Sequence, residues 1–193
     1  MNIRESFQSK TDAEIMELAK TEPEVFGFLI KRYQEKLFRY VRRISYFGNE
    51  DIEDILQETF IKVYKNLNDY DQSLKFSSWI YRITRNQTID QIRKNAKSSQ
   101  VVSFDEGDLN KLLKSSINLL KELEEKELFE KAKTAIQSLP ERYREVLVLR
   151  FLEEKDYEEI MDILKKPKGT IATLIKRGRE KLEKSLNQLN PQQ

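Results

Sequence analysis

Apolar residues recur every three or four positions along most of the chain, the spacing that places them on one face of an α-helix. One run predicts a long helix that opens near Pro23 and stops near 47–49, with Phe26, Leu29, Ile30, Tyr33, Leu37, Val41 and Ile44 on its apolar face. The next run, over about 51–67, would bury Ile52, Ile55, Leu56, Phe60, Val63, Tyr64 and Leu67. With only 5 Gly and 4 Pro in the chain, the pattern predicts an all-α protein.

Several helix starts carry recognisable signals. In a capping box, a Ser, Thr or Asp at the N-cap is followed three residues later by Glu, and each side chain bonds the other's backbone N–H. Ser77 is the expected cap of a helix over 76–94, and Pro167 is expected to start the last helix. The pattern occurs at Thr11 with Glu14, Thr21 with Glu24, Ser138 with Glu141, and Asp156 with Glu159.

The helical periodicity weakens between Asn95 and about Ser116, where Ser and acidic residues accumulate. A stretch of that length is longer than most loops inside a domain. We therefore expect two small helical domains joined by a flexible linker: an N-terminal domain over 1–96, a linker over 97–116 and a C-terminal domain over 117–193. A short helix, a turn with Pro167 and Gly169, and a basic helix together predict that the C-terminal domain is a helix-turn-helix.

Composition excludes several kinds of chemistry. The chain has no Cys and no His, which removes disulfides, thiol nucleophiles, imidazole bases and the commonest zinc sites. We expect no metal site, no cofactor and no enzymatic activity. No apolar run approaches the ~20 residues of a membrane span, and no signal peptide opens the chain, so we expect a cytoplasmic protein without membrane insertion.

Charge is distributed unevenly although the net charge is only +2. Lys75 to Lys97 holds six Lys/Arg and one Asp, and Lys165 to Lys184 holds eight Lys/Arg and two Glu. Such basic segments indicate phosphate contacts. Glu50 to Glu58 holds five acids and no base, which favours a protein partner with a basic surface. For each patch alone, a solvated helix face is the alternative interpretation.

The two basic segments suit different forms of DNA. The segment FSSWIYRITRNQTIDQIRK interleaves aromatics with cations, as in proteins that stack unpaired bases beside the phosphate backbone. Core packing is an equal alternative for Trp79, and Asp90 with Arg93 fits an intrahelical ion pair. In KKPKGTIATLIKRGREKLEK the apolar positions share one face, opposite a basic face that suits a duplex groove; the apolar positions are Ile171, Ile175, Gly178, Leu182 and Leu186.

Four segments resemble, in order and spacing, the signature segments of bacterial sigma factors, and are most similar to the extracytoplasmic-function (ECF) group. They are EDIEDILQETFIKVYKNL, FSSWIYRITRNQTIDQIRK, LPERYREVLVLRFLE and DYEEIMDILKKPKGTIATLIKRGREKL. The resemblance covers roughly 20–95 and 127–187. It implies that the N-terminal domain binds core RNA polymerase and melts the −10 promoter element, that the C-terminal domain reads the −35 element, and that the linker threads the polymerase cleft.

The resemblance also implies roles for individual residues. Asp54, Ile55, Gln57 and Glu58 would dock on the clamp helices of the largest polymerase subunit, and the flap of the second-largest subunit is a further expected contact. The −10 strand would meet Asn68, Asp69, Tyr70, Asp71, Phe76, Trp79, Arg82, Arg85, Asn86, Arg93 and Lys94, with the loop 68–73 holding a flipped-out base. The −35 duplex would meet Lys168, Thr170, Ala172, Thr173, Lys176, Arg177 and Arg179.

Two further implications follow from the resemblance. Many relatives carry Arg or Lys where this chain has Ala172 and Leu174, so apolar contact, for instance to thymine methyl groups, replaces hydrogen bonding there. Sigma factors of this type are often held by an anti-sigma protein, so such a partner is expected. The alternative function is a helix-turn-helix regulator that acts on duplex DNA without joining polymerase, which would need neither the acidic helix nor the aromatic-basic one.

Overall fold

The computed structural model describes residues 9–71, 73–94, 104–116 and 125–188. Within these ranges the chain is built of helices and turns and contains no β-strand, so the all-α prediction is confirmed. The chain divides into two compact units. Unit 1 comprises residues 1–41 and 47–98, and unit 2 comprises residues 42–46 and 99–193.

Unit 1 contains four α-helices in its described residues: α1 (Asp12–Ala19), α2 (Phe26–Ile44, whose last residues belong to unit 2), α3 (Asn49–Lys65) and α4 (Phe76–Lys94). Two 3-10 turns, Pro23–Val25 and Leu67–Asp69, precede α2 and follow α3. Because the apolar residues of these helices face inward, the unit has a continuous core, with Leu29, Leu37, Val41, Ile52, Val63 and Ile80 fully buried.

The start of α1 forms as predicted. Thr11 caps the helix, its hydroxyl accepts the Glu14 backbone N–H at 3.3 Å, and the Glu14 carboxylate accepts the Thr11 N–H at 2.7 Å. Asp12 then ties α1 to α2, since its carboxylate accepts hydrogen bonds from Arg32 and from the Tyr33 hydroxyl. These contacts hold a helix of only 8 residues that would not persist alone.

Three expectations for unit 1 are wrong. Thr21 and Glu24 form no capping box, because the Thr21 hydroxyl donates back to the Leu18 carbonyl at 3.2 Å. Ser77 lies inside α4, which begins one residue earlier, and therefore does not cap it. Tyr64, expected in the core, is 40% exposed at the edge of α3 and touches the Phe26 ring.

Unit 2 contains α5 (Glu106–Ser116), α6 (Glu125–Ser138), α7 (Glu141–Leu147), α8 (Tyr157–Leu164) and α9 (Lys168–Gln188). A π-helical turn, Val148–Leu152, extends α7. The predicted apolar face of α9 is buried at all five positions. Gly178 matters for packing on this face, since a Cβ there would lie 3.3 Å from Leu147 Cγ and the missing side chain lets α9 approach α7 closely.

One of the two capping boxes predicted for unit 2 forms in the structure. Asp156 and Glu159 form a capping box at the start of α8, with the Glu159 N–H donating to Asp156 at 2.8 Å. Ser138 and Glu141 do not form one. Pro140 stands at the N-cap of α7, and the Ser138 hydroxyl instead donates to the Ala135 carbonyl at 2.7 Å.

Part of the segment that was predicted to be a linker is helical in the structure. Residues 97–103 of that prediction lie outside the described residues. Residues 106–116 form α5, and Phe104, Leu109, Leu112 and Leu113 are buried within unit 2. The start of this segment is polar and contains Gly107, so its helical periodicity is weak in the sequence. The helix is stabilised by the burial of its apolar residues in unit 2.

Candidate nucleic-acid and protein interfaces

The exposed face of α9 is the most regular charged surface of unit 2. All seven residues expected to contact duplex DNA are exposed: Lys168, Thr170, Ala172, Thr173, Lys176, Arg177 and Arg179. At about 100° per residue they cover roughly half of the helix circumference, opposite the buried face. Only Lys176 among their cations is held by a nearby acid on this helix, Glu180 at 3.9 Å, and both side chains are well exposed. Because its side chains are already exposed, this face can contact a duplex groove without a change in the fold of unit 2.

The turn before α9 fixes the direction in which this face points. Lys165 ends α8 in the left-handed conformation, at φ 51° and ψ 50°, and its N–H donates to the Met161 carbonyl. The Lys166 N–H also donates to Met161, at 3.3 Å. Pro167 then accepts from the Thr170 N–H at 2.9 Å and sets the first turn of α9. The sequence signal for a helix-turn-helix is therefore matched by a well-bonded turn.

Four polar residues of α4 share one side of the helix. Arg82, Arg85, Asn86 and Arg93 fall within an arc of about 100° and form one face, half-buried at Arg82 and Arg85 and exposed at Asn86 and Arg93. Arg93 lies 3.6 Å from Asp90 in the intrahelical ion pair that the sequence suggested, with both side chains more than half exposed. This face presents guanidinium and amide groups along about three turns of the helix, which suits a nucleic-acid strand.

The aromatic residues of α4 are buried, unlike the residues of this polar face. Phe76 is 3% exposed and Trp79 is 8% exposed, and both pack in a cluster with Tyr33 and Tyr70 whose ring centroids are 5.0–6.1 Å apart. Tyr81 is 2% exposed and lies against Tyr40. In this structure Phe76 and Trp79 therefore lie in the core beneath the surface, and their contact with the −10 strand stays a prediction.

Tyr70 is the member of this cluster that reaches the surface. Its ring lies 5.0 Å from Trp79, and its hydroxyl donates to the Leu74 carbonyl. Burial raises the pKa of Tyr70, and the negative charges of Asp12 and Asp71 raise it further, so the phenol keeps its proton. Asp71 accepts the Ser73 N–H at 2.9 Å, which makes a tight turn next to exposed Asn68 and Asp69. The aromatic cluster and this turn together hold the loop that sequence reasoning assigned to a flipped base.

The acidic helix α3 presents a mixed polar and apolar face. Asp54, Gln57 and Glu58 are exposed and share this face, whereas Ile55 is 4% exposed and belongs to the core. The same face continues into Ile61, which is 52% exposed, and Tyr64. These two are the exposed large hydrophobic residues in the part of the chain that the structure describes. An apolar centre with a polar rim is the usual arrangement of a protein-docking surface, and the carboxylates here favour a partner with a basic surface.

A groove of about 430 Å³ joins this face to α4. Asp54, Ile55 and Glu58 form one wall, and the other wall carries residues of the last two turns of α4, namely Gln87, Asp90, Gln91, Arg93 and Lys94. Across it, the Gln87 side-chain amide donates to the Glu58 carboxylate at 2.9 Å. Lys94, expected on the DNA strand, thus lines the groove, while Arg93 borders both the groove and the face of α4 that carries Arg82, Arg85 and Asn86.

Sequence reasoning missed Ile61, Tyr64 and Gln87 at this surface. Ile61 and Tyr64 carry a signal that could have been found, because they follow Asp54 by seven and ten residues and so continue its helical stripe. Gln87 carries none, since only the packing of α3 on α4 brings it to Glu58. In the described ranges no group of His, Cys, Asp and Glu is arranged to hold a metal ion. No helix there is both long and apolar enough to cross a membrane.

Two family models match the chain. Residues 29–98 match sigma-70 region 2, and residues 129–182 match sigma-70 region 4. The first match includes the acidic face of α3 and both faces of α4. The second ends within α9 and includes its whole predicted DNA-binding face.

Curated relatives align over nearly the whole chain. The ECF RNA polymerase sigma factor SigW of Bacillus subtilis is 36% identical, over 91% of this chain and 96% of its own length. The ECF RNA polymerase sigma-E factor of Escherichia coli K12 is 31% identical, over 93% of this chain and 96% of its own length.

Two solved structures share the fold. CnrH, in complex with the cytosolic domain of CnrY, matches with a TM-score of 0.66 and 21% identity, over 92% of this chain and 98% of its own. The sigma factor RpoE from Bartonella quintana, in complex with the anti-sigma factor NepR, matches with a TM-score of 0.62 and 20% identity, over 84% of this chain and 96% of its own.

Proposed function

Since this chain belongs to the ECF family of RNA polymerase sigma factors, we propose that it directs transcription initiation through three surfaces: the acidic face of α3 binds core polymerase, α4 binds the −10 element and α9 binds the −35 element. The observation that carries this proposal is the arrangement of exposed side chains in unit 1. There a carboxylate-rich face with an apolar centre on α3 lies next to a cationic face on α4. A protein that only bound DNA would gain nothing from the first of these surfaces.

The α3 face is proposed to bind the clamp helices of the largest polymerase subunit. Asp54 and Glu58 would attract basic side chains, and Gln57 would add hydrogen bonds. Ile61 and Tyr64 offer the apolar area that concentrates binding energy at the centre of an interface. Ile55, which is buried, would act by supporting α3. Gln87 holds Glu58 at 2.9 Å and so limits the orientations of that carboxylate.

The −10 strand is proposed to follow the face of α4 that carries Arg82, Arg85, Asn86 and Arg93. Guanidinium groups would hold the phosphates, and the loop at 68–73 would accept an unpaired base beside the half-buried Tyr70 ring. Phe76 and Trp79 would contribute by holding Tyr70 in place. Lys94 lies on the groove side of α4, so its long side chain would serve the strand only at its end.

The −35 duplex is proposed to meet the exposed face of α9. Its first turns present Lys168, Thr170 and Ala172, where a recognition helix usually meets base edges, and Arg177 and Arg179 follow as phosphate contacts. The Thr173 hydroxyl donates to the Gly169 carbonyl at 2.8 Å. Its methyl group and that of Ala172 would therefore provide apolar contact in the groove.

The remaining partners follow from this assignment. The polymerase carries out the chemistry, so the protein itself is not expected to be an enzyme, and it acts in the cytoplasm, where polymerase is. The flap of the second-largest subunit and an anti-sigma protein are further proposed partners. A helix-turn-helix regulator independent of polymerase is not favoured, since it leaves the α3 face and the match to sigma-70 region 2 unexplained.

The direct test is promoter-dependent run-off transcription with bacterial core polymerase and this protein, together with a binding titration against core. We expect transcripts only when the protein is present. The double variant Gln57→Ala, Glu58→Ala, and separately Ile61→Ser, should weaken core binding about tenfold or more, the effect of losing about 1.4 kcal/mol or more at an interface centre.

The matched control is Glu35→Ala, which removes an exposed carboxylate from another helix of unit 1. This variant should bind core as the wild type does. If the protein never joins core but retards duplex DNA alone, the sigma assignment is wrong. If all variants bind core equally, initiation stands but the α3 face is not the docking surface.

A further inference from the structure

Two exposed cations of unit 2 lie over the same buried ring. The Arg142 guanidinium carbon lies 4.8 Å from the centroid of the Tyr143 ring, and its Nη2 atom donates to the Tyr143 hydroxyl at 3.2 Å. The Lys181 ammonium lies 5.7 Å from the same centroid. Tyr143 itself is 3% exposed, whereas both cations are exposed. One ring therefore attracts a guanidinium from α7 and an ammonium from α9.

The packing of α9 on α7 produces this pairing. Gly178 on α9 faces Leu147 at the end of α7, and the missing side chain lets the two helices approach closely. One turn further along α9, Lys181 meets Tyr143, which lies one turn earlier in α7. The two helices thus run in opposite directions at this contact. The same close packing that buries their apolar faces brings the two cations together.

The two cations have no carboxylate partner. Among the residues that the structure describes, no acid forms an ion pair with Arg142 or Lys181, although Glu141 is adjacent to Arg142 in the sequence. Lys111 of the same unit, by contrast, lies 3.1 Å from Glu154. Two like charges beside one ring repel each other, and a bound anion removes this repulsion. The pair is therefore suited to an anionic ligand.

Backbone phosphates of DNA are the anions that fit this pair best. Arg177 and Lys181 are four residues apart, so they lie on the same side of α9, about 6 Å apart along the helix. Arg177 belongs to the proposed −35 face, and the pair continues that face toward α7. A guanidinium can bind two phosphate oxygens at once, and a lysine adds a point charge. In homeodomains the far end of the recognition helix contacts the backbone in a similar way.

We propose that Arg142 and Lys181 form a phosphate-binding site that extends the duplex contact of unit 2 from α9 onto α7. The location of the site on promoter DNA rests on the proposed function, whereas its affinity for phosphates does not. Because a phosphate carries no sequence information, the site adds affinity and fixes orientation without favouring particular bases. The alternative role of the two cations is to shield the Tyr143 ring from water. Shielding makes no contribution to the salt dependence of DNA binding.

Fluorescence anisotropy of a duplex of arbitrary sequence, titrated with the free full-length protein over a range of salt, tests the phosphate site. Each phosphate contact contributes about −0.9 to the slope of log affinity against log salt concentration, so Arg142→Gln with Lys181→Gln should reduce the slope by about 1.8. A fourfold rise in salt should then weaken binding by this double variant about twelvefold less than binding by the wild type. Lys111→Gln removes a cation that is already paired and should keep the wild-type slope. Equal slopes for the wild type and the double variant overturn the proposal.

A titration with poly-glutamate distinguishes DNA from an acidic protein as the ligand. The double variant should show the reduced salt slope with the duplex whatever its effect on poly-glutamate. Weaker binding of poly-glutamate by the double variant, together with unchanged binding of the duplex, would assign the site to an acidic protein segment and overturn the proposal.

The complex of the full-length protein with core polymerase tests where the site lies on promoter DNA. Single backbone phosphates around the −35 element are replaced by neutral methylphosphonates. Some of these replacements should weaken binding by the wild type and by Arg177→Gln but leave binding by the double variant unchanged. Identical sensitivity of the wild type and the double variant at every phosphate overturns the placement. Failure of the wild type to join core contradicts the proposed function, while the slopes of the free protein still decide the phosphate site.

Discussion

At the residue scale, Tyr70 links the core of unit 1 to its proposed DNA-binding surface. Its ring is packed on Trp79, while its hydroxyl and the adjacent turn lie at the edge of the loop 68–73. A phenol in this place can stack on a base and can donate a hydrogen bond, and its raised pKa opposes ionisation. The loop is therefore built around a tyrosine that remains neutral.

This environment predicts a specific dependence on alkaline pH. Because burial and the charges of Asp12 and Asp71 raise the pKa of Tyr70, the folded state binds its proton more tightly than the unfolded state does. The resulting stability is present below the ordinary tyrosine pKa of about 10 and is lost as pH rises through the raised value. Tyr70→Phe has no proton to lose, so the free energy of unfolding of the wild type should fall relative to this variant above pH 10.

Chemical denaturation of both proteins at pH 8 to 11 measures the difference. A parallel absorbance titration at 295 nm should show one tyrosine fewer ionising late in the variant. A constant difference in unfolding free energy across the range would mean that Tyr70 titrates as a solvated residue does.

Local sequence signals identified some helix caps and not others. Thr11 and Asp156 cap as predicted, and in each case the cap residue itself has an extended backbone. Thr21 and Ser138 carry the same signal but close on carbonyls of the helix that has just ended. Similarly, Phe76 and Trp79 next to arginines resemble a stacking surface in sequence, although the core and the surface of α4 share those turns.

At the scale of elements, the contact of α7 with α9 depends on Gly178. A methyl group there would lie 3.3–3.4 Å from three atoms of buried Leu147, closer than is comfortable. At Gly27, in the first turn of α2, a methyl group would meet nothing within 4 Å. Both glycines lie in helices, so the two sites differ in packing and not in backbone conformation.

The pair predicts opposite effects of one substitution. Gly27→Ala should raise the free energy of unfolding by up to about 1 kcal/mol, the gain in helix propensity. Gly178→Ala should lower the free energy of unfolding by about 1–2 kcal/mol relative to the wild type, because crowding against Leu147 outweighs the gain in helix propensity. Urea denaturation of each variant beside the wild type gives both changes in the free energy of unfolding. Equal stabilisation at the two positions would show that α7 moves away from the added methyl group at little cost.

The same contrast explains what the sequence could predict about elements. Long amphipathic helices such as α2, α3 and α9 follow from spacing alone, because each buries one continuous stripe. Helix α5 does not, since its start is Glu106-Gly107-Asp108 and Asp108 is buried through a contact with distant Arg43. A polar residue that becomes buried only through tertiary contact leaves no periodic trace, so this segment was predicted to be a linker.

At the scale of the whole molecule, charge is separated and not accumulated. The chain has 35 Lys and Arg against 33 Asp and Glu, yet α4 holds four cations and one acid, α9 holds six cations and two acids, and α3 holds five acids and two cations. A nearly neutral molecule gains little from long-range attraction to DNA. Free protein should thus bind promoter duplex weakly, and binding should tighten strongly when core polymerase is added.

Salt dependence separates the contribution of the α9 face. Each phosphate neutralised contributes about −0.9 to the slope of log affinity against log salt concentration. Arg177→Ala should reduce that slope by about 1 for the polymerase-bound protein on promoter DNA, whereas Lys31→Ala, an exposed cation on α2, should not. Fluorescence anisotropy between 50 and 200 mM salt measures this, and equal slopes for the two variants would remove Arg177 from the interface.

The π-helical turn Val148–Leu152 gives unit 2 a tolerance of a different kind. Its Glu153 N–H reaches back five residues to Val148 at 3.0 Å, so this turn holds one residue more than an α-turn. An extra residue can be looped in here, or left out, while α7 and α8 keep their own repeats. In evolutionary terms, this turn is where the length of the gene could change by a single codon without rotating α9, the proposed −35 helix, relative to α7.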